Sequence, residues 1–241
     1  MKLKVYPDYE RVSRATADLI ADYIGTKQNA LICLASGHSP QGVFSCLIDD
    51  VRSKKLSLSG CTFVSLDEWI GIPATQKGSC RMMMDDDLFN PLQISDTRIH
   101  FFDGVAKDLD AEVSKINTLI ENHGGLDIML VGVGTNGHIA MNEPGSSFDD
   151  VAHISALAEE TKLVGQKYFD TATELSRGLT LGLRNFKVAK LPILIANGQK
   201  KAPIMQRVLS SAATESIPAT IVHLIDDAYV MLDQDAYSLV K

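Results

Sequence analysis

Residues 30–44 read ALICLASGHSPQGVF, and their order decides the fold class. The run Ala30-Leu31-Ile32-Cys33-Leu34-Ala35 is apolar without alternation, the pattern of a strand covered on both faces. Gly37 bounds that run, and Ser39 with Pro40 then supplies an expected N-cap and an N1 proline. A helix follows with Val43, Phe44, Leu47, Ile48 and Val51 turned inward. Strand, tight turn and helix in immediate succession make one unit of a parallel sheet.

The same alternation extends in both directions. Upstream, Val12, Ala15, Leu19, Ile20, Tyr23 and Ile24 recur at helical spacing. Downstream, strands are expected at 61–66, 98–102, 126–131, 178–182, 191–196 and 220–224. Helices are expected near 79–89, 106–122, 156–169 and 199–210. No linker, repeat or low-complexity segment interrupts the pattern. The expectation is a single α/β domain spanning 1–241, a Rossmann-like and mostly parallel sheet with helices on both faces. Ligands of such sheets gather at the carboxyl ends of the strands, which singles out segments 36–42, 67–71 and 132–145.

Composition narrows the function classes. The chain has 241 residues, 45% of them hydrophobic, and a formal net charge of -7. That balance argues against a nucleic-acid surface. No apolar run approaches the roughly 20 residues that span a bilayer, and the start, MKLKVYPDYERVS, lacks an apolar signal core. A cytoplasmic protein with no membrane partner is expected. Cys33, Cys46, Cys61 and Cys80 form no CxxC pair, so they read as reduced thiols and not as a zinc site.

Ser36-Gly37-His38-Ser39 leads into a helix N-terminus, where free N–H groups and the helix dipole favour an anion. A plain βα turn capped by Ser39 fits the residues equally well. No GxxxxGK[ST] occurs, which excludes a P-loop. Gly132-Val133-Gly134-Thr135-Asn136-Gly137 matches GxGxxG after a strand, yet Pro144 and Gly145 follow before a long helix can form. NAD binding is therefore rejected; these glycines let the backbone pass close to a small substrate.

His138 and Glu143 flank that turn, and a carboxylate there can orient an imidazole and raise its pKa. Two ligands in one loop do not make a metal set, and no metal is expected. Asp67 and Glu68 end a strand, where successive side chains take opposite faces, so one carboxylate faces the crevice and the other supports the turn. Asp67 suits a base acting next to a carbonyl, a helix cap being its plainer use. The Asp85-Asp86-Asp87 run reads as a solvated helix face. Lys167 and Lys200-Lys201 are either phosphate partners or surface lysines, with Lys200 favoured by its place after a buried strand.

Four stretches together, LICLASGHSPQGVF, TFVSLDEWIGIP, LVGVGTNGHIAMNEPGSSF and RGLTLGLRNFKVAKLPILIANGQKKA, resemble the glucosamine-6-phosphate deaminase/isomerase family. The resemblance covers nearly the whole chain, and NGHIxxNEPG is its most specific part. Trp69, Gly78-Ser79-Cys80 and the GLTLGL strand lean towards the galactosamine-6-phosphate branch. The resemblance implies isomerisation and deamination of a 2-amino-hexose 6-phosphate without a cofactor. It implies tagatose 6-phosphate and ammonia from galactosamine 6-phosphate, or fructose 6-phosphate and ammonia from the glucosamine epimer.

By the same resemblance Asp67 matches the enolisation base and His138 the ring-opening acid/base. Glu143 and Asn136 match the groups that complete the ring-opening set, although some relatives carry aspartate at the position of Asn136. Phosphate would sit on Ser36, Gly37 and Ser39, helped by Lys200. Lys167 stands where the family commonly has an arginine, and lysine lacks the bidentate fork. Met141 replaces a common phenylalanine. Residues 145–176 match a helical lid, and the implied partner is a small amino-sugar phosphate, with a homo-oligomer as a further expectation.

Two other classes compete. A 6-phosphogluconolactonase shares the fold, but its histidine turn usually continues into a Ser-Leu-Phe-Pro stretch, unlike Met141-Asn142-Glu143-Pro144 here. A sugar-phosphate sensor of transcription regulators needs a DNA-binding helix-turn-helix, for which the strand beginning near residue 30 leaves no room.

Overall fold

A computed structural model describes residues 1–240. Its elements in chain order are β1 (Lys2–Tyr6), α1 (Tyr9–Thr26), β2 (Leu31–Leu34), α2 (Gln41–Arg52), β3 (Thr62–Val64), β4 (Asp67–Trp69) and α3 (Cys80–Met84). There follow β5 (Ile99–His100), α4 (Leu109–Asn122), β6 (Ile128–Val131), β7 (His153–Ala156), α5 (Glu159–Gly165) and β8 (Arg177–Thr180). The chain ends with α6 (Leu183–Val188), β9 (Leu191–Ala196), α7 (Ala202–Ser210), β10 (Tyr229–Asp233) and α8 (Gln234–Tyr237).

Seven strands form one parallel sheet in the order β1-β10-β9-β6-β2-β3-β5. Strand alternation divides each buried run between two cores. Leu31, Cys33, Met129 and Val131 face a cluster with Ile116, Phe186 and Met205, on the side of α4, α6 and α7. Ile32, Leu34, Ile128 and Leu130 face Val12, Ile20, Phe44 and Leu47, on the side of α1 and α2. Helices on both faces explain why the strands are apolar without interruption.

The strand order reverses between β2 and β6. From β2 the chain builds outward through β3 to β5; from β6 it builds the other way through β9 to β10. The crevice outside the carboxyl ends of β2 and β6 is thus the topological switch point, where such sheets bind ligands.

A second sheet, antiparallel in the order β4-β8-β7, stands over that crevice. Residues 178–182, expected as a strand of the main sheet, enter this smaller one instead, pairing Gly178 with Trp69 and with Ser155. Segment 145–176, expected to be helical, is only partly so, because His153–Ala156 is its strand before α5. Residues 220–224 form no strand: they belong to a 3-10 segment, Pro218–Leu224, that buries Ala219 to Val222 against the sheet. Short apolar runs do not distinguish these alternatives by periodicity. Of the main-sheet strands, sequence missed β1 and β10, which occupy the edge beyond β9. No helix is long and apolar enough to cross a membrane among the described residues.

Candidate active site

A cleft of about 500 Å³ opens at the switch point, and Ser36, Ser39, Asp67, His138, Lys167 and Lys200 all line it. Three segments far apart in sequence therefore meet as the strand-end rule requires. A larger hollow of about 730 Å³ lies at the amino ends of β2, β3 and β5, among Gln28, Ser59 and Arg98, and no acid–base candidate lines it.

The floor is the turn after β2. Gly37 takes φ +100, a conformation that favours glycine. The N–H groups of Gly37, His38 and Ser39 make no hydrogen bond among the described residues, so they remain available to an anion. The expected cap is corrected here: α2 begins at Gln41 with Pro40 at the capping position, and no side chain caps it. The Gly42 N–H donates instead to the Tyr9 hydroxyl at 2.8 Å, which leaves the Ser39 side chain to the cleft.

The two adjacent carboxylates divide as strand geometry dictates. Glu68 is fully buried and accepts the N–H groups of Trp69, Cys80 and Arg81, each at 2.9 Å. It pins the start of α3 beside β4. Burial pushes Glu68 up to about 7 against those three donors, which favour its charged form. Asp67 faces the cleft, and burial raises its pKa to about 6, with only the Cys80 thiol pulling down. A carboxylate so tuned is a usable base at neutral pH.

The second acid–base group is assembled behind the cleft wall. The Oδ1 of Asn136 accepts both the His138 backbone N–H, at 3.0 Å, and the ring Nδ1–H, at 2.7 Å. The Nδ2 of Asn136 donates to Glu143 Oε2 at 2.9 Å. An acceptor at Nδ1 assigns the ring proton there and leaves the Nε2 lone pair free. Asn136 and Glu143 do not line the cleft, so they act through the imidazole. Burial lowers the pKa of His138; Glu143, 3.7 Å from Nδ1, pulls the other way without prevailing. The expected upward shift is thus corrected: an amide stands between ring and carboxylate, and desolvation wins.

The glycines of the false dinucleotide motif have separate tasks. A Cβ at Gly134 would lie 2.1 Å from His138 Cε1, because the imidazole lies against that backbone. The backbone approached is therefore that of the histidine's own turn. Gly137, at φ +93, turns the chain between Asn136 and His138.

Segment 145–176 forms one side of the opening. The Ala158 N–H donates to Glu143 Oε1 at 3.2 Å, and Thr161 Oγ1 lies 3.3 Å from His138 Nδ1. Leu163 and Val164 are exposed on α5 although they border the cleft. Trp69, Met141, Leu157 and Leu175 form a small core that ties this segment to the Asp67 strand.

Of the paired lysines, sequence favoured Lys200, but Lys201 is the better placed. Its Nζ donates to Val133 O at 2.6 Å and its pKa is lowered, first by burial and then by Lys167. Lys200 also borders the cleft but is exposed. Burial, then Lys200, lowers Lys167. Lys167, Lys200 and Lys201 thus gather positive charge at one side of the cleft. Lys201, Cys80, Thr161 and Tyr168 were not selected from the sequence, and only Ser79, which caps α3 by accepting from Met82 N–H, marked the approach to Cys80. The Asp85-Asp86-Asp87 run is spent elsewhere: Asp85 pairs with Arg81, and Asp87 accepts from Gln41. Among the described residues no cluster of three or more His, Cys, Asp or Glu gathers for a metal.

Residues 9–231 match a family model described as glucosamine-6-phosphate isomerases/6-phosphogluconolactonase. A glucosamine-6-phosphate deaminase of Geobacillus sp. (strain WCH70) is 34% identical over 241 residues, covering 100% of this chain and 96% of its own. The solved structure of a monomeric glucosamine-6-phosphate deaminase superposes with TM-score 0.95 at 33% identity, covering 99% of this chain and 100% of that one. The 6-phosphogluconolactonase of Trypanosoma brucei superposes with TM-score 0.77 at 19% identity, covering 100% and 98%, and shares the fold alone.

Proposed function

The chain belongs to the family of glucosamine-6-phosphate isomerases and 6-phosphogluconolactonases, and from that premise we propose that it converts glucosamine 6-phosphate and water into fructose 6-phosphate and ammonia. The observation that carries this reading is the meeting of Asp67, His138 and the Ser36–Ser39 turn in one cleft. The full-length relatives carry the glucosamine name. Against them the sequence lean to the galactosamine branch, drawn from Trp69, Gly78-Ser79-Cys80 and the GLTLGL strand, is not confirmed, and the glucosamine alternative fits the relatives better.

The phosphate rests on the turn after β2, with Lys201 and Lys167 supplying charge. His138, neutral and protonated at Nδ1, takes the O1 proton of the ring sugar at Nε2 and returns it to O5, opening the ring to the aldehyde. Asp67, ionised above about pH 6, removes the C2 proton. The electrons pass to the carbonyl oxygen, which takes a proton from the substrate's ammonium group, to give an enolamine. The proton is delivered to C1, leaving a C2 iminium. Water adds to C2, the carbinolamine loses ammonia, and the ketose remains.

Asn136 and Glu143 are positioning residues: they hold the imidazole tautomer. Segment 145–176 is the lid in this reading. It borders the cleft with exposed apolar side chains, and closure would cover them while the aldehyde is free. The structural neighbour described as monomeric supports a monomer over the expected homo-oligomer.

The test follows ammonia and ketose release from each epimer. Glucosamine 6-phosphate is expected to be favoured in kcat/KM by on the order of 100-fold, since a hydroxyl-bonding site rejects a displaced hydroxyl. Preference for galactosamine 6-phosphate overturns the epimer assignment, and lactone hydrolysis without ammonia overturns the reaction class.

A further inference from the structure

The phenol of Tyr168 is unused by the fold. Its ring has structural work: it packs against the small core containing Trp69, Met141 and Leu157, and tilts over His38 with centroids 5.7 Å apart. Its hydroxyl has none. Oη makes no hydrogen bond to any of the described residues, although Tyr168 lines the cleft. A phenylalanine would meet every packing demand visible here.

The position of that hydroxyl is informative. A Cβ built on Gly37 would lie 3.0 Å from Oη, so the phenol stands directly over the turn whose N–H groups make no hydrogen bond among the described residues. The preceding residue, Lys167, carries its Nζ 4.8 Å from the ring. Burial first, and then the neighbouring Cys80 and Asp67, push the phenol up to about 12. It therefore keeps its proton throughout the working range and brings a donor without charge.

We propose that Tyr168 is a substrate-binding residue whose hydroxyl donates a hydrogen bond to the phosphate held on the Ser36–Ser39 turn. This rests on the reading of the cleft as a sugar-phosphate site. A phosphate dianion offers three terminal oxygens, and the turn and the lysines approach it from the floor and one side. Tyr168, next to Lys167 on segment 145–176, supplies a further donor that carries no charge. The phosphate then ties that segment to the turn, and occupancy of the site seats the wall beside Asp67.

The variant is Tyr168→Phe, which keeps the ring, and the probe is inorganic phosphate titrated calorimetrically into the whole protein. The dissociation constant for phosphate should rise roughly tenfold, the loss of one hydrogen bond to a charged group. KM for glucosamine 6-phosphate should rise by a similar factor, with kcat within about threefold and the melting temperature unchanged. An unchanged phosphate constant overturns the assignment, including the case in which KM alone rises and the hydroxyl touches the sugar instead. If the wild-type chain binds phosphate yet releases no ammonia from either epimer, the proposed reaction fails while the Tyr168 titration still decides this inference. A wild-type chain that binds no phosphate overturns both.

Discussion

The Nδ1 of His138 lies 2.7 Å from the amide oxygen of Asn136, so the acid–base imidazole rests on a neutral group. The carboxylate of Glu143 reaches it through that amide, at 2.9 Å from Nδ2. An amide fixes the tautomer without stabilising the imidazolium as a carboxylate would. Burial then dominates and keeps the ring neutral.

Asn136→Asp should therefore raise the pKa of His138, because a negative charge would replace the dipole at Nδ1. The acidic limb of the kcat/KM profile, if His138 governs it, should move to higher pH by about one unit or more. An NMR titration of the imidazole should show the same shift. Asn136→Leu should remove the acceptor and slow reaction of the closed sugar by roughly 100-fold. An imidazole pKa that ignores both changes would remove Asn136 from its positioning role.

Asp67→Asn should abolish exchange of the C2 proton with solvent while leaving phosphate affinity within about threefold of wild type. It should also stabilise the protein. The folded-state pKa of Asp67, about 6, exceeds its ordinary value of 3.8, so the ionised carboxylate costs folding free energy. That cost is absent below about pH 4, grows between the two values and is complete above about pH 6. At pH 8 the variant should be more stable by about 3 kcal/mol, and the difference should vanish in acid. Thermal melts at several pH values give the comparison.

Much of this arrangement was legible in the sequence, for identifiable reasons. Residues 30–35 and 126–131 are buried on both faces, and continuous apolar runs are how such strands are written. The division of labour between Asp67 and Glu68 followed from alternation alone. What escaped notice depends on contacts across the chain. Edge strand β1 is exposed along most of its length, so Lys2–Tyr6 carries little hydrophobic signal. The 3-10 segment at 218–224 is as apolar as a strand, and only its packing distinguishes it. Lys201 and Lys200 are neighbours in sequence and both border the cleft, and the short helical turn at Gln199–Lys201 leaves Lys200 exposed and Lys201 half-buried.

Lys201→Met and Lys200→Met provide a paired test of that difference. Loss of Lys201 should raise KM for the amino-sugar phosphate by roughly tenfold or more, since it removes a half-buried charge beside the phosphate turn. Loss of the exposed Lys200 should change KM by no more than about threefold. Steady-state kinetics at fixed ionic strength decide between them. A larger effect at Lys200 would restore the sequence-based choice.

Glu68→Gln should unfold the site before it alters the chemistry. The carboxylate satisfies three backbone N–H groups in a fully buried position. An amide has one acceptor oxygen and would turn its own donors towards N–H groups. Each unsatisfied buried donor costs about 1–3 kcal/mol, so urea denaturation should show a loss of about 2 kcal/mol or more. Because burial raises the folded-state pKa of Glu68 from 4.5 to about 7, ionisation costs wild-type stability as pH rises, so the variant's loss should be largest near pH 5 and should shrink above about pH 7. Stability equal to wild type near pH 5 would remove Glu68 from this supporting role.

The two glycines of Gly132-Val133-Gly134 separate a histidine platform from a nucleotide turn. In a dinucleotide site the first glycine would be indispensable for the tight turn. Here a Cβ at position 132 would meet nothing closer than Ser39 Cβ at 4.0 Å, whereas one at 134 would sit 2.1 Å from His138 Cε1. Neither residue has a positive φ, so backbone strain does not enter and the difference is purely steric. Gly132→Ala should retain kcat within about threefold. Gly134→Ala should displace the imidazole and lower kcat by roughly 100-fold or more. A reversed order, with Gly132→Ala the damaging change, would show that this backbone meets the ligand itself and that the histidine has another support.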